Sequence, residues 1–160
     1  MLPHIRRVWP VAALLLLTPA TALRAQTAAA PAAAVRAFYR FHFAHDMAFT
    51  RAAVRRREPW LAPDLLALCR RYFAAPSPAD EPPSIEGDPF TDSQEYPATF
   101  HVGAAAVAGD TALVPVTFAW KGGGTQPGVT VVLTRAGGWR IADIRFARGG
   151  TLRDLLAGRG

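Results

Sequence analysis

Two hydrophobic periods divide the chain. From residue 35 to about 48 the apolar positions recur at the 3.6-residue spacing of a helix. Val35, Phe38, Phe41, His42 and His45 share one face, with Arg36 and Arg40 on the other. The alanine-rich residues 27–34 before it read as a frayed lead-in. A second amphipathic helix is predicted from Pro63, because proline suits the first helical position and Asp64 falls in the first turn. It should end before Pro76, with Arg70 and Arg71 placed to favour a helix C-terminus. Between the two lies a short arginine-rich stretch, residues 51–57.

Past residue 97 the period changes to two. Residues 98–107, 112–120, 129–134 and 139–146 read as strands, separated by Gly109-Asp110, Gly122-Gly123-Gly124 and Gly137-Gly138. Val114, Val116, Phe118 and Trp120 alternate with more polar neighbours, so one face of the sheet should be buried. Short connections between successive strands predict an antiparallel meander. Residues 151–157 suit a closing helical turn, with Thr151 as cap and Asp154 three residues on. Helices followed by an antiparallel sheet of about four strands make an α+β domain, and no internal repeat interrupts it.

The segment between helices and strands differs from both. Residues 76–97 hold six prolines and six carboxylates (Asp80, Glu81, Glu86, Asp88, Asp92, Glu95) and no basic residue. A loop of this length in a compact domain is commonly either functional or disordered, and one crossing a cavity mouth would suit recognition.

The N-terminus carries a targeting pattern. Arg6 and Arg7 precede an apolar run over residues 8–17, and Ala20, Ala22 and Ala25 supply small residues for a peptidase. The run is too short to span a bilayer, which takes about 20 residues. The expectation is a signal peptide over residues 1–25, cut after Ala22 or, preferably, Ala25, and one domain over 26–160 in the periplasm or outside the cell. Loss of Arg6, Arg7 and Arg24 would lower the formal charge from +6 to +3, which weakens any case for a polyanion partner. No stable membrane insertion is expected after cleavage.

Candidate chemistry is sparse. Tyr39, His42 and Asp46 lie three and four residues apart on one helical stripe, where a histidine with a neighbouring carboxylate could serve as an acid/base pair. His42, His45 and Asp46 do not match the spacings of a zinc site, and Asp88, Asp92 and Glu95 lack the alternation and turn glycine of a calcium loop, so no metal is expected. Asp88 and Asp92 also suit turns, their side chains bonding nearby backbone amides. The single cysteine, Cys69, falls on the stripe with Leu65, Leu66 and Phe73 and reads as a buried, inert thiol. The Arg55-Arg56-Arg57 run reads as a solvated face rather than a nucleic-acid site. There is no Gly-rich phosphate loop and no Gly-x-Ser-x-Gly elbow, and no cofactor is expected.

Several short motifs resemble the DUF3828 group of small exported bacterial proteins within the NTF2-like superfamily. They are residues 88–95 (Asp-Pro-Phe-Thr-Asp-Ser-Gln-Glu), 100–103 (Phe-His-Val-Gly), 138–144 (Gly-Trp-Arg-Ile-Ala-Asp-Ile) and 152–156 (Leu-Arg-Asp-Leu-Leu). Phe38-Tyr39 and residues 61–65 match more loosely. The resemblance implies a cone in which helices pack on a curved sheet around a cavity, with homodimerisation through the sheet common among such folds. It implies no activity.

The leading expectation is an exported binding module that engages a small molecule or another exported protein, with Asp88, Phe90, Asp92 and Glu95 of the acidic loop as contacts. The alternatives are a small hydrolase or dehydratase using Tyr39, His42 and Asp46, and an inhibitor or immunity-type partner of another exported protein.

Overall fold

A computed structural model describes residues 19–75, 85–123 and 125–158. Among these residues are four helices, α1 (Pro19–Phe43), α2 (Arg51–Arg57), α3 (Pro63–Ala74) and α4 (Leu152–Leu156); α2 packs on α3, and α1, α3 and α4 pack on an open antiparallel sheet. Its five strands are β1 (Thr99–Val102), β2 (Ala106–Ala108), β3 (Thr111–Ala119), β4 (Thr125–Arg135) and β5 (Trp139–Phe146). The order is β1-β3-β4-β5, with β2 also paired to β3 beyond β1. The fold is therefore α+β, with helices against an antiparallel sheet, and it has one strand more than expected. Of the expected leader, residues 1–18 lie outside the described residues.

The helical layer departs from the periodicity in three places. Residues 27–34 are helical rather than frayed, as suits a run of alanine, the strongest helix former. α1 stops at Phe43 instead of continuing to residue 48, because the Asp46 carboxylate accepts the Ala48 amide at 3.0 Å and closes a competing turn. The arginine-rich stretch 51–57 is a helix, started by Thr50, whose hydroxyl accepts the Ala53 amide at 3.1 Å. α3 begins at Pro63 as expected, and the Ala62 amide before it donates to the Ile141 carbonyl at 2.8 Å, tying α3 to β5.

The expected strand over residues 98–107 is two strands, and Pro115 is the reason. Gly103 donates its amide to the Pro115 carbonyl at 2.8 Å, so residue 115 turns its backbone groups toward the β1–β2 side. Proline has no N–H to return, and the ladder lapses there between β1 and β2. β4 is longer than expected and bulges opposite β3, where the register shifts between Val116 and Phe118. A Cβ on Gly128 would sit 1.9 Å from the Val116 carbonyl oxygen, so only glycine allows this approach.

The core lies between the layers. Ala112, Val114, Val116 and Phe118 of β3 alternate inward, joined by Val129, Val131 and Leu133 of β4 and by Ile141 and Ile144 of β5. Against them pack Val35, Phe38 and Tyr39 of α1, Leu65 and Cys69 of α3, and Leu152 and Leu156 of α4. Each large apolar side chain buried here contributes roughly 1.5–3 kcal/mol. Burial pushes the Cys69 thiol up from 9.0 to about 12. At pH 8 the thiolate is then about one part in ten thousand. Native protein is expected to resist a disulfide reagent that titrates Cys69 quickly in guanidinium, and a fast native reaction would contradict this packing. The raised value also sets a sign. As pH rises from about 9 toward about 12, the unfolded chain releases this proton and the folded chain keeps it, so the contribution of Cys69 to stability falls.

Candidate functional site

The deepest polar groups come from three elements. α1 supplies Tyr39 and His42, α2 supplies Arg57, and the turn over residues 88–93 supplies Asp88 and Thr91. Tyr39, His42 and Asp88 have no exposed surface, Arg57 has 1% and Thr91 has 2%. Val35, Phe38, Tyr39 and His42 form an i, i+3, i+4, i+7 stripe, so the helical period that buries the core also buries the histidine. Arg57 lies on the buried face of α2 with Ala53 and Val54.

The turn is shaped by its own bonds. Asp88 and Ser93 pair across it, with the Asp88 amide 2.8 Å from the Ser93 carbonyl and the Ser93 amide 3.3 Å from that of Asp88. The Asp88 carboxylate also accepts the Phe90 amide at 3.0 Å, the local bond expected of an aspartate in a turn. Asp92 takes a left-handed φ of 52° and Gly87 one of 72°, and a side chain at Gly87 would strike the Ser93 carbonyl.

Hydrogen-bond roles fix the histidine. Arg57 Nε donates to His42 Nδ1 at 2.7 Å, and a guanidinium has nothing to accept with, so Nδ1 carries a lone pair. The proton is therefore on Nε2, which donates to Asp88 Oδ2 at 2.7 Å. A neutral ring bridges a cation and an anion. Thr91 Oγ1 also donates to Asp88 Oδ2 at 2.7 Å, so Ser93 Oγ is the donor in its own 2.7 Å bond to Thr91. Arg57 completes its fork with the Ala53 carbonyl at 2.8 Å and the Asp46 carbonyl at 2.7 Å. Burial lowers the Arg57 pKa, and the Asp88 charge opposes that shift. Tyr39 donates to the Phe90 carbonyl at 2.6 Å, and burial, aided by the Asp88 charge, raises its pKa well above the usual value. Among the described residues no buried side-chain polar atom lacks a partner.

The structure thus separates the residues singled out from the sequence. Tyr39 and His42 are buried side by side, but the carboxylate on His42 is Asp88, 46 residues away, while Asp46 is exposed and caps a turn. Both nitrogens of His42 are engaged, one by a cation and one by its own proton, so neither is free to take a proton from a substrate. In the acidic loop, Asp88 and Phe90 point into the protein, whereas Asp92 and Glu95 face solvent. Burial raises the Asp92 pKa, against the pull of Arg148. The Glu95 carbonyl accepts the Trp120 indole N–H at 3.1 Å, and the adjacent Tyr96 is 50% exposed. Sequence reasoning missed Arg57, Thr91 and Tyr96. Helical spacing from Val54 to Arg57 was the available signal for the first, and the arginine run obscured it. Among the described residues no cluster of three or more His, Cys, Asp or Glu side chains is placed to hold a metal ion. No described helix is long and apolar enough to cross a membrane.

No family model matches the chain, and neither does any curated protein. Among solved structures it is similar to a chain of the type VI effector–immunity complex Tae3–Tai3 from Ralstonia pickettii. In the selenomethionine form the identity is 27% at a TM-score of 0.52, over 73% of this chain and 96% of that one. In the native form the identity is 26% at a TM-score of 0.53, over 74% and 95%. What this chain shares with that complex is thus nearly the whole length of one of its members.

Proposed function

We propose that this chain is a protein-binding module of the immunity type, exported by its N-terminal leader, that caps an effector protein. The observation that carries the reading is the likeness to a chain of an effector–immunity complex over 96% of that chain's length. Two features of this chain favour the immunity role over the effector role. Tyr39 and His42, the two acid/base candidates that the fold brings together, are sealed in the core with every polar atom bonded, and the only cysteine is buried with its thiol held protonated. The loop at residues 88–96 is fastened from beneath by His42, Tyr39 and Trp120, which presents Asp92, Glu95 and Tyr96 on a rigid support. Pre-organisation of this kind reduces the entropy lost on binding. The α+β fold accords with the NTF2-like resemblance, which we keep as the family reading.

Isothermal titration against the two separately purified members of the Ralstonia pair tests the proposal. Heat with Tae3 and none with Tai3 is expected. Binding to Tai3 in place of Tae3, or to neither, would sink the immunity reading. Within a complex, Tyr96→Ala is expected to weaken affinity roughly 10- to 100-fold without moving the melting temperature, because exposed aromatic anchors carry a large share of interface energy.

A further inference from the structure

A groove apart from that loop carries a different chemistry. Arg51, Val54, Arg55 and Glu58 lie at i, i+3, i+4 and i+7, on one stripe of α2 continuing into the turn after it. Arg70 and Phe73, one turn apart on α3, face that stripe, and together the six residues enclose a cavity of about 310 Å³. Half-buried Phe73 supplies an apolar wall, Val54, 4% exposed, lies at the floor, and three guanidinium groups oppose one carboxylate. Two of the arginines are already oriented. Arg51 donates to the Phe73 carbonyl at the end of α3, and Arg70 pairs with Glu58 at 2.9 Å. The Arg55 side chain makes no ion pair or hydrogen bond among the described residues, and the neighbouring Arg56 and Arg71 are exposed. Residues 30–75 as a whole carry eight arginines against Asp46, Glu58 and Asp64.

We propose that the α2–α3 groove is a carboxylate-binding site that takes an acidic peptide segment of a protein partner, with a carboxylate between Arg55 and Arg70 and an apolar neighbour against Val54 and Phe73. The planar fork of arginine matches a carboxylate in two parallel bonds, and a groove holding three such forks against one carboxylate is short of negative charge. The mixed lining decides between ligand sources, since a bare inorganic anion makes no use of Val54 and Phe73. The groove shares no residue with the loop at 88–96, so a ligand there is independent of the immunity role.

The test uses the full chain and a fluorescein-labelled peptide of glutamate and aspartate around one phenylalanine, followed by fluorescence anisotropy at low salt. Binding at about 100 μM or tighter is expected, with none for the matching glutamine/asparagine peptide. Arg55→Glu should weaken it about tenfold or more, and Arg70→Gln by several-fold, as charge-assisted bonds are lost. Among the described residues the Arg55 side chain has no partner to lose, so the Arg55→Glu protein should melt at the wild-type temperature or above it. Peptide binding that ignores Arg55→Glu would overturn the proposal. So would full displacement by about 1 mM inorganic phosphate, which would mark a site for small anions in general. Tightening of about tenfold on Asp80→Asn with Glu81→Gln would identify the chain's own acidic residues as the occupant and would also overturn it.

Discussion

Replacing Asp88 with alanine is expected to lower the unfolding free energy by about 3–5 kcal/mol, the range for breaking a buried, hydrogen-bonded charge pair. The carboxylate accepts His42 Nε2, Thr91 Oγ1 and the Phe90 amide with no exposed surface, so its loss leaves the His42 and Phe90 N–H groups buried and unpaired, while Thr91 keeps the Asp88 carbonyl and Ser93 within reach. The substitution also removes the larger of the two opposing charges that act on the buried Arg57 guanidinium, leaving only the exposed Asp46. Asp88→Asn should rescue part of the loss. Its amide oxygen, set where Oδ2 lies, could still accept from His42 and Thr91, but its NH2 group would face the Phe90 N–H and the charge near Arg57 would be gone. Urea unfolding gives both values from the midpoints, provided the slopes agree. A loss under about 1 kcal/mol for Asp88→Ala would contradict the bonding described. Replacing His42, Arg57 and Asp88 together with apolar residues of similar volume should cost less than Asp88→Ala alone, since an apolar cluster strands no charge.

The second large effect is expected at Phe90. Its ring is 2% exposed and lies 5.3 Å from Phe38, 5.4 Å from His42 and 6.2 Å from Phe49 by centroid, with the Arg57 guanidinium 6.0 Å away. Phe90→Ala should cost about 3–5 kcal/mol through the cavity it leaves, and Phe90→Leu well under half of that. The readout separates two roles for this residue. As part of the core, Phe90 moves the unfolding midpoint; as a ligand contact on the loop surface, it would move affinity and leave the midpoint in place. Because the Phe90 ring packs against His42, which Asp88 holds, the double variant should fall short of the sum of the singles.

These residues show where the chain is legible. Helix α3 was readable because proline, aspartate and a periodic apolar stripe are local signals, and β3 was readable from strict alternation; β5 was bounded by its turn glycines, but the bulge that buries Ile141 and Ile144 three residues apart is set by pairing with β4. The break between β1 and β2 was not, although Pro115 was visible in the neighbouring strand. Its effect falls on whichever strand lies on its N–H side, and that is a matter of pairing. His42 and Tyr39 stood out through helical spacing, which brought Asp46 in as the partner one turn away. The real partner is set by tertiary packing across 46 residues, a distance at which spacing carries no information. Arg57 was hidden for a related reason. In a run of three arginines composition suggests solvent, and only the fold decides that the third turns inward.

The interrupted edge has a consequence for how a partner can dock. A long unpaired strand offers its backbone as a template, and many recognition domains bind peptides by adding a strand there. Here the β1–β2 border is two short strands with a lapse between them. The opposite border, β5, has its Ile141 carbonyl bonded to Ala62 and Arg145 bridged to Thr151. Neither border offers a continuous ladder, so the protein is guarded against edge-to-edge aggregation. A partner must recognise side chains, and specificity then rests with charge and shape at the surface, where single substitutions can retune it without touching the sheet.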